Sequence, residues 1–188
     1  MTTMPEGQRD GLEVLASDHR AVEGLLAAYG PDLEPEEQLA LVERVTVLVV
    51  RHMVAEEEYL YPVVREELPD GDGLADADLG RQAAIEATLN ELDGLDPVNE
   101  RFEPLVRRLT DEVAAHIAFA EGRLFPGLRE RLSAERRMGL GLRLLSAKRT
   151  APTHPHPEAP DRPPLNKLIN PGVGLVDRVR DWLSGRTR

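Results

Sequence analysis

The sequence predicts an all-α fold, an up-and-down four-helix bundle, and three observations carry that expectation. Apolar residues recur at helical spacing through most of the first 147 residues. Strand signals are missing: aromatic residues make up 4% of the chain, and no segment alternates apolar with polar residues over a useful length. Proline and glycine punctuate the chain so as to leave long helices joined by short connections.

The elements follow in order. A first helix is expected from about Asp10 to Tyr29, with Leu12, Leu15, Val22 and Leu26 on one face, stopped by Gly30-Pro31. A second starts near Glu36, after Pro35, and runs to about Leu68; its stripe is Val42, Val45, Val49, Leu60 and Val63. Pro69-Asp70-Gly71-Asp72-Gly73 reads as the turn that ends it. A third spans about Asp76 to Leu92, closed by Asp93-Gly94, and a fourth runs from about Asn99 to Leu132 with Leu105, Leu109, Val113, Leu124 and Leu128 inward. Ser133 to Leu145 forms either a fifth helix or an extension of the fourth. Thr150 to Pro164 is rich in proline and reads as an extended linker. Beyond it, Gly172 to Ser184 can form a short amphipathic helix carrying Val173, Val176, Val179 and Leu183 on one side. That tail helix would contact its own bundle or a protein partner.

Charge divides the chain at the same place. The sequence holds 23 basic and 34 acidic residues, a formal charge of −11. Residues from Lys148 onward contain 8 basic and 4 acidic residues, so the preceding 147 hold 15 and 30. The expected organisation is therefore an acidic bundle over 1–147 and a weakly basic linker and tail over 148–188. An acidic body offers no footprint for nucleic acid. There are no cysteines, which excludes disulfides, thiolate metal sites and cysteine nucleophiles. The polar start, Met1 to Gly11, has no signal-peptide character, and no stretch approaches the ~20 apolar residues of a membrane span. A cytoplasmic location is expected. Arginine outnumbers lysine 21 to 2, which points to a GC-rich bacterial genome.

Polar residues interrupt the apolar stripes at a few places. His19 lies four after Leu15 and three before Val22; His52 lies three after Val49; Glu56 falls four after His52 and four before Leu60; His116 falls three after Val113. All four point inward with their neighbours. His154 and His156 lie in the proline-rich segment. A lone inward histidine is ordinarily a hydrogen-bonded core residue. Three of them with a carboxylate, on separate helices around one axis, are harder to explain that way, because a buried carboxylate costs several kcal/mol unless a cation compensates it. Imidazole nitrogens with carboxylate oxygens suit Fe, Mn or Zn.

An internal repeat adds to this. Residues from His52 to Leu68 align without gaps to those from His116 to Leu132, with identities at His, Glu, Leu, Pro, Arg, Glu and Leu. The two halves of the bundle thus read as copies of one helical hairpin. The chain resembles the hemerythrin-like, or HHE cation-binding, family over roughly residues 10 to 132. That family's pattern is a His on helix one, His-x-x-x-Glu on helix two, a His on helix three and His-x-x-x-Glu on helix four, around a non-haem di-iron centre. The resemblance implies that His19, His52, Glu56 and His116 are metal ligands. In oxygen-carrying hemerythrins the fourth-helix carboxylate comes five residues after its His, which adds Glu121 to the implied set.

Two positions depart from the pattern. The repeat places a third-helix His near residue 83, where Gln82 stands, and Ala120 occupies the position four after His116. Glu121 is rotated from that position by about 100° on a regular helix, and Glu112, four before His116, is a remoter substitute. One half of the site is intact and the other lacks strong ligands, so the expectation is mononuclear or partly occupied di-iron rather than a robust di-iron centre. The implied function is iron binding in the sensing of O2, NO or peroxide, or iron handling. The competing reading is a metal-free interaction or regulatory module that has lost the chemistry and binds no cofactor. Ferritin-like bundles need Glu-x-x-His on two helices, which this sequence lacks around its core histidines, and no residue pattern assigns an enzymatic reaction.

Overall fold

Asp10 starts the first helix by accepting a hydrogen bond from the Leu12 backbone N–H at 2.9 Å, which satisfies one of the free donors of a helix N-terminus. The computed structural model describes residues 9–150. Over that span the chain forms α1 (Gly11–Ala28), α2 (Pro35–Ala55), a π turn (Glu56–Leu60), α3 (Tyr61–Glu67), α4 (Gly71–Leu92), α5 (Phe102–Phe119), a second π turn (Ala120–Leu124), α6 (Phe125–Arg131) and α7 (Ala134–Thr150). Helices α1, α2, α4 and α5 with α7 pack as a bundle, the all-α architecture expected from the sequence. Pro35 opens α2, where its missing N–H costs nothing, and the Glu37 carboxylate reaches back to the Glu34 N–H at 3.1 Å. No helix among the described residues is long and apolar enough to cross a membrane. The proline-rich segment, the tail helix, His154 and His156 lie outside the described residues.

The two long inward helices are not regular. In each, one turn closes its hydrogen bond five residues back: Tyr61 N–H to the Glu56 carbonyl, and Phe125 N–H to the Ala120 carbonyl. Both turns precede a proline, Pro62 and Pro126. A proline inside a helix removes a hydrogen bond and crowds the carbonyl four residues back; a wider turn relieves that crowding. It also changes the register. Buried residues fall at 52, 56, 60, 64 and 68, and at 116, 120, 124, 128 and 132. Four steps of four would carry that stripe about 160° round an α-helix at 3.6 residues per turn. One extra residue in a π turn removes about 100° of the drift. The inward residue of α3 is accordingly Val64, fully buried, and the Val63 expected from regular spacing is only partly buried.

Other differences concern boundaries. The segment expected to be an acidic turn, Pro69 to Gly73, is mostly helix: α4 starts at Gly71, immediately after Asp70 in the left-handed region at φ 56°. Gly71 is pressed against the end of α3, where an added Cβ would sit 2.3 Å from the Val64 carbonyl oxygen. Arg65 binds Asp72 at 2.9 Å and Asp76 at 2.6 Å, fastening the first turn of α4 to α3. After α6 the backbone extends at Leu132, so α7 is a separate helix. It lies against α1 and α2, with Leu140, Leu144 and Ala147 buried, and Gly11 and Gly141 permit its close approach to α1.

The buried apolar residues form two clusters along the bundle. One gathers Leu12, Leu15, Leu60, Val64, Leu124 and Phe125 with the inner face of α7. The other gathers Val22, Val49, Met53, Ile85, Val113 and Ile117. Each inward histidine falls in sequence between a residue of the first cluster and one of the second. The polar groups therefore occupy the seam between two apolar plugs.

Candidate metal centre

His19 from α1, His52 from α2 and His116 from α5 bring their Nε2 atoms to one point. The His19 and His52 Nε2 atoms are 3.1 Å apart, and those of His52 and His116 are 3.4 Å apart. Glu56 enters from the first residue of the π turn, with Oε1 3.3 Å from His52 Nε2 and Oε2 3.3 Å from His116 Nε2. One ligand atom from each of these four residues lies within 4.8 Å of all the others. All four side chains are buried, Glu56 with no exposed surface at all.

Behind each ring stands a carboxylate. Asp18 Oδ2 is 3.3 Å from His52 Nδ1, Asp78 Oδ1 is 3.1 Å from His116 Nδ1, and Glu121 Oε1 is 2.7 Å from His19 Nδ1. A carboxylate that accepts from Nδ1–H fixes the tautomer and leaves the Nε2 lone pair facing inward. Three such lone pairs and a carboxylate then meet among buried side chains, an arrangement that repels itself and attracts a cation. Glu56 makes the point most sharply. Its Oε2 accepts from Gln82 Nε2 at 2.7 Å and from the Tyr61 hydroxyl at 3.4 Å, but its Oε1 receives no hydrogen bond. A buried anionic oxygen with free lone pairs, facing imidazole nitrogens, is the donor set of a nitrogen- and oxygen-ligated metal ion. The residues fit such an ion.

In the metal-free protein, protons take the place of the cation. Burial disfavours charge on His116, but Glu56 and the hydrogen bond His116 donates to Asp78 override it and push its pKa up to about 10. Burial opposes charge on His52 as well, and Glu56 and Asp18 raise it nonetheless. Burial also works against the Glu56 anion, yet the two imidazoles hold its carboxyl well below the usual carboxylate range. His19 goes the other way, down to about 4, through burial and the charge on His52. Two rings thus share the role of counter-ion and the third stays neutral.

The structure brings His19, His52, Glu56 and His116 together and leaves Glu121 outside that group. Glu121 lies on the far side of His19, where Arg20 also binds it. Glu112 faces elsewhere, accepting from the Thr88 hydroxyl at 2.6 Å. On the weak side of the site, Gln82 donates to Glu56 and leaves its own Oε1 buried without a partner. Ala120 is fully buried in the apolar cluster around Leu124 and Phe125. The ligand set is three histidines and one glutamate, a departure from a full two-metal set.

Three residues were not singled out from sequence. Asp18 and Asp78 orient His52 and His116, and the Tyr61 hydroxyl bridges Asp78, at 3.2 Å, and Glu56. Asp78 was readable: it lies four residues before Gln82 and interrupts the stripe of Ala75, Ile85 and Leu89. Regular spacing favours Leu79, which is only partly buried. Tyr61 faces the site because of the π turn, which periodicity alone conceals.

Comparison with known proteins agrees with this geometry. Residues 10–128 match the family described as the hemerythrin HHE cation binding domain. An uncharacterized hemerythrin-like protein of Schizosaccharomyces pombe is 26% identical over 136 residues, covering 72% of this chain and 67% of that protein. A DNA nickase of a Nostoc species is 29% identical over 123 residues, 65% of this chain but 34% of that protein, so the chain spans about a third of that relative's length. No solved structure matches the chain.

Proposed function

Because the chain belongs to the hemerythrin HHE cation-binding family, we propose that it is a non-haem iron protein holding one metal ion per chain, serving O2, NO or peroxide sensing or iron handling. The observation that carries this reading is the convergence of His19, His52 and His116 with the fully buried Glu56 carboxylate, whose Oε1 receives no hydrogen bond. His19, His52, Glu56 and His116 would hold the ion, and iron bound there would supply one-electron chemistry and affinity for small diatomic ligands. The protein's own part is to fix the rings through Asp18, Asp78 and Glu121, to keep Glu56 ionised, and to exclude bulk water with apolar plugs on both sides. A cavity of about 20 Å³ adjoins the three rings, walled by Val22, Val49, Met53 and Ile85. A space of ~10–15 Å³ holds one water-sized molecule, so the cavity has room for one small ligand beside the rings.

One ion rather than two follows from the weak half. With Gln82 donating to Glu56 and Ala120 presenting a methyl group, a second ion lacks both a nitrogen and a carboxylate ligand. The same two residues favour a second reading, a metal-free module that keeps the bundle for interaction alone. Nicking of DNA is left with the Nostoc relative: the acidic body here gives DNA no footprint.

Metal analysis of untagged protein, reconstituted anaerobically with ferrous iron, separates the two readings. One equivalent per chain, lost in His52→Ala, supports the iron protein. Less than a tenth of an equivalent supports the bare module.

A further inference from the structure

We propose that helix α7 is a working part of the metal centre: Lys148 holds Asp18, Asp18 orients His52, and metal binding is thereby coupled to the docking of the C-terminal helix. The proposal rests on the metal-binding reading above. The family match ends at residue 128, whereas α7 runs from Ala134 to Thr150. This helix is nonetheless connected to a ligand by one side chain. The Lys148 ammonium binds Asp18 Oδ1, and Oδ2 of the same carboxylate faces His52 Nδ1 at 3.3 Å.

The geometry gives Lys148 a positioning role. A carboxylate behind a ligating histidine sets the ring's rotation and tautomer and strengthens its lone pair. Asp78 has the Tyr61 hydroxyl to hold its second oxygen, and Glu121 has Arg20 on the same Oε1 that faces His19. Asp18 has Lys148, and that cation comes from a helix added outside the matched domain. The pair is well shielded, the two side chains being 20% and 16% exposed, so water screens it less than an ordinary surface pair. Helix α7 does not depend on Lys148 for its seat. Leu140, Leu144 and Ala147 are buried, and Arg137 binds Asp10 at 2.6 Å and the Leu132 carbonyl at 2.6 Å. Removing the ammonium therefore leaves the helix docked while releasing Asp18.

Coupling of this kind is reciprocal. If a docked α7 improves the ligand geometry of His52, metal at His52 must favour docked α7 by the same factor. Occupancy of the buried site would then be reported at the C-terminal end of α7, next in sequence to the basic C-terminal segment.

The test uses the untagged full-length chain and Co(II), whose visible bands report coordination directly. Lys148→Met, which keeps the apolar stem, is expected to raise the Co(II) dissociation constant ~10–100-fold and to alter the band pattern. Lys148→Arg is expected to restore both. Asp18→Asn is expected to weaken binding similarly, with the double variant no worse than either single one, since both act through one contact. Hydrogen exchange of the α7 amides is expected to slow on Co(II) addition in the parent and not in Lys148→Met. If the parent shows no Co(II) spectrum, the metal reading itself fails. If the parent binds Co(II) and Lys148→Met binds it with equal affinity and spectrum, the metal reading stands and this coupling is overturned. Should Lys148→Met lose helix content, Asp18→Asn decides the matter by the same readouts.

Discussion

Glu56 and His116, both buried, hold each other ionised, and each depends on the other. Removing one partner of a buried pair leaves an uncompensated charge, at a cost of ~3–5 kcal/mol. His116→Ala in the metal-free protein strips both Glu56 and Asp78 of a cation, and a loss of that size should appear in urea unfolding. Glu56→Gln keeps the shape but removes the anion that raises His116, whose pKa should fall from about 10 toward or below 6.5; ring-proton NMR across a pH series reads this directly. The pH dependence of stability follows with its sign. A histidine raised on folding contributes stability that is complete below its unfolded pKa and is lost as pH rises toward the folded one. For His116 that window runs from 6.5 to about 10. His19, lowered to about 4, works oppositely, gaining stability as pH rises from about 4 to 6.5. The metal-free protein should therefore be most stable near pH 6.5 and lose urea resistance toward pH 9.5. Excess metal should oppose that loss, because metal ligation needs neutral imidazole and strengthens as protons leave. A urea midpoint that climbs steadily from pH 6.5 to 9.5 without metal would contradict the assignment.

At the scale of elements, close approaches decide which substitutions matter. Gly71 meets the Val64 carbonyl at the α3–α4 junction and has no room for a methyl group. Gly71→Ala should cost ~1–3 kcal/mol, the usual cost of forcing atoms into a filled space. Gly122 is in the second π turn with nothing within 4 Å of an added Cβ, so Gly122→Ala should be neutral or stabilising by ~0.5–1 kcal/mol. Thermal unfolding of the two variants checks the contrast; equal effects would mean that the α3–α4 contact does not constrain the bundle. The same elements show what periodicity can reveal. Helices α1, α2 and α5 and their inward histidines were legible because each carries a clear stripe from its capping signal onward. Val64 and Tyr61 were not, since the π turns break the 3.6-residue period on which such reading relies. The regular four-residue steps from His52 to Leu68, with Pro62 among them, are the trace those turns leave in the sequence. The start of α4 was hidden for another reason: Pro69 to Gly73 carries strong turn chemistry, and the Arg65 clamp on Asp72 and Asp76 that makes it helical is a tertiary contact.

For the molecule as a whole, the repeat is visible in the architecture, and under the proposed one-metal reading divergence between its halves sets the chemistry. The first half keeps His19, His52 and Glu56; the second keeps His116 and places Gln82 and Ala120 where ligands would complete a second metal position. The double change Gln82→His with Ala120→Glu should raise metal content above one per chain and raise thermal stability with it. A ligand bound only by the folded state stabilises by linkage, ~2.7 kcal/mol at a hundredfold excess over its dissociation constant. Unchanged metal content in that variant would argue against a degenerate second position.

The central claim is that one cation completes the cluster of His19, His52, Glu56 and His116. An anomalous difference map at the iron edge, from crystals of the iron-loaded chain, tests it most directly. The account predicts a single strong peak within bonding distance of all four side chains. It would be contradicted by two comparable peaks, or by the three rings hydrogen-bonded to one another and to Glu56 with no peak between them.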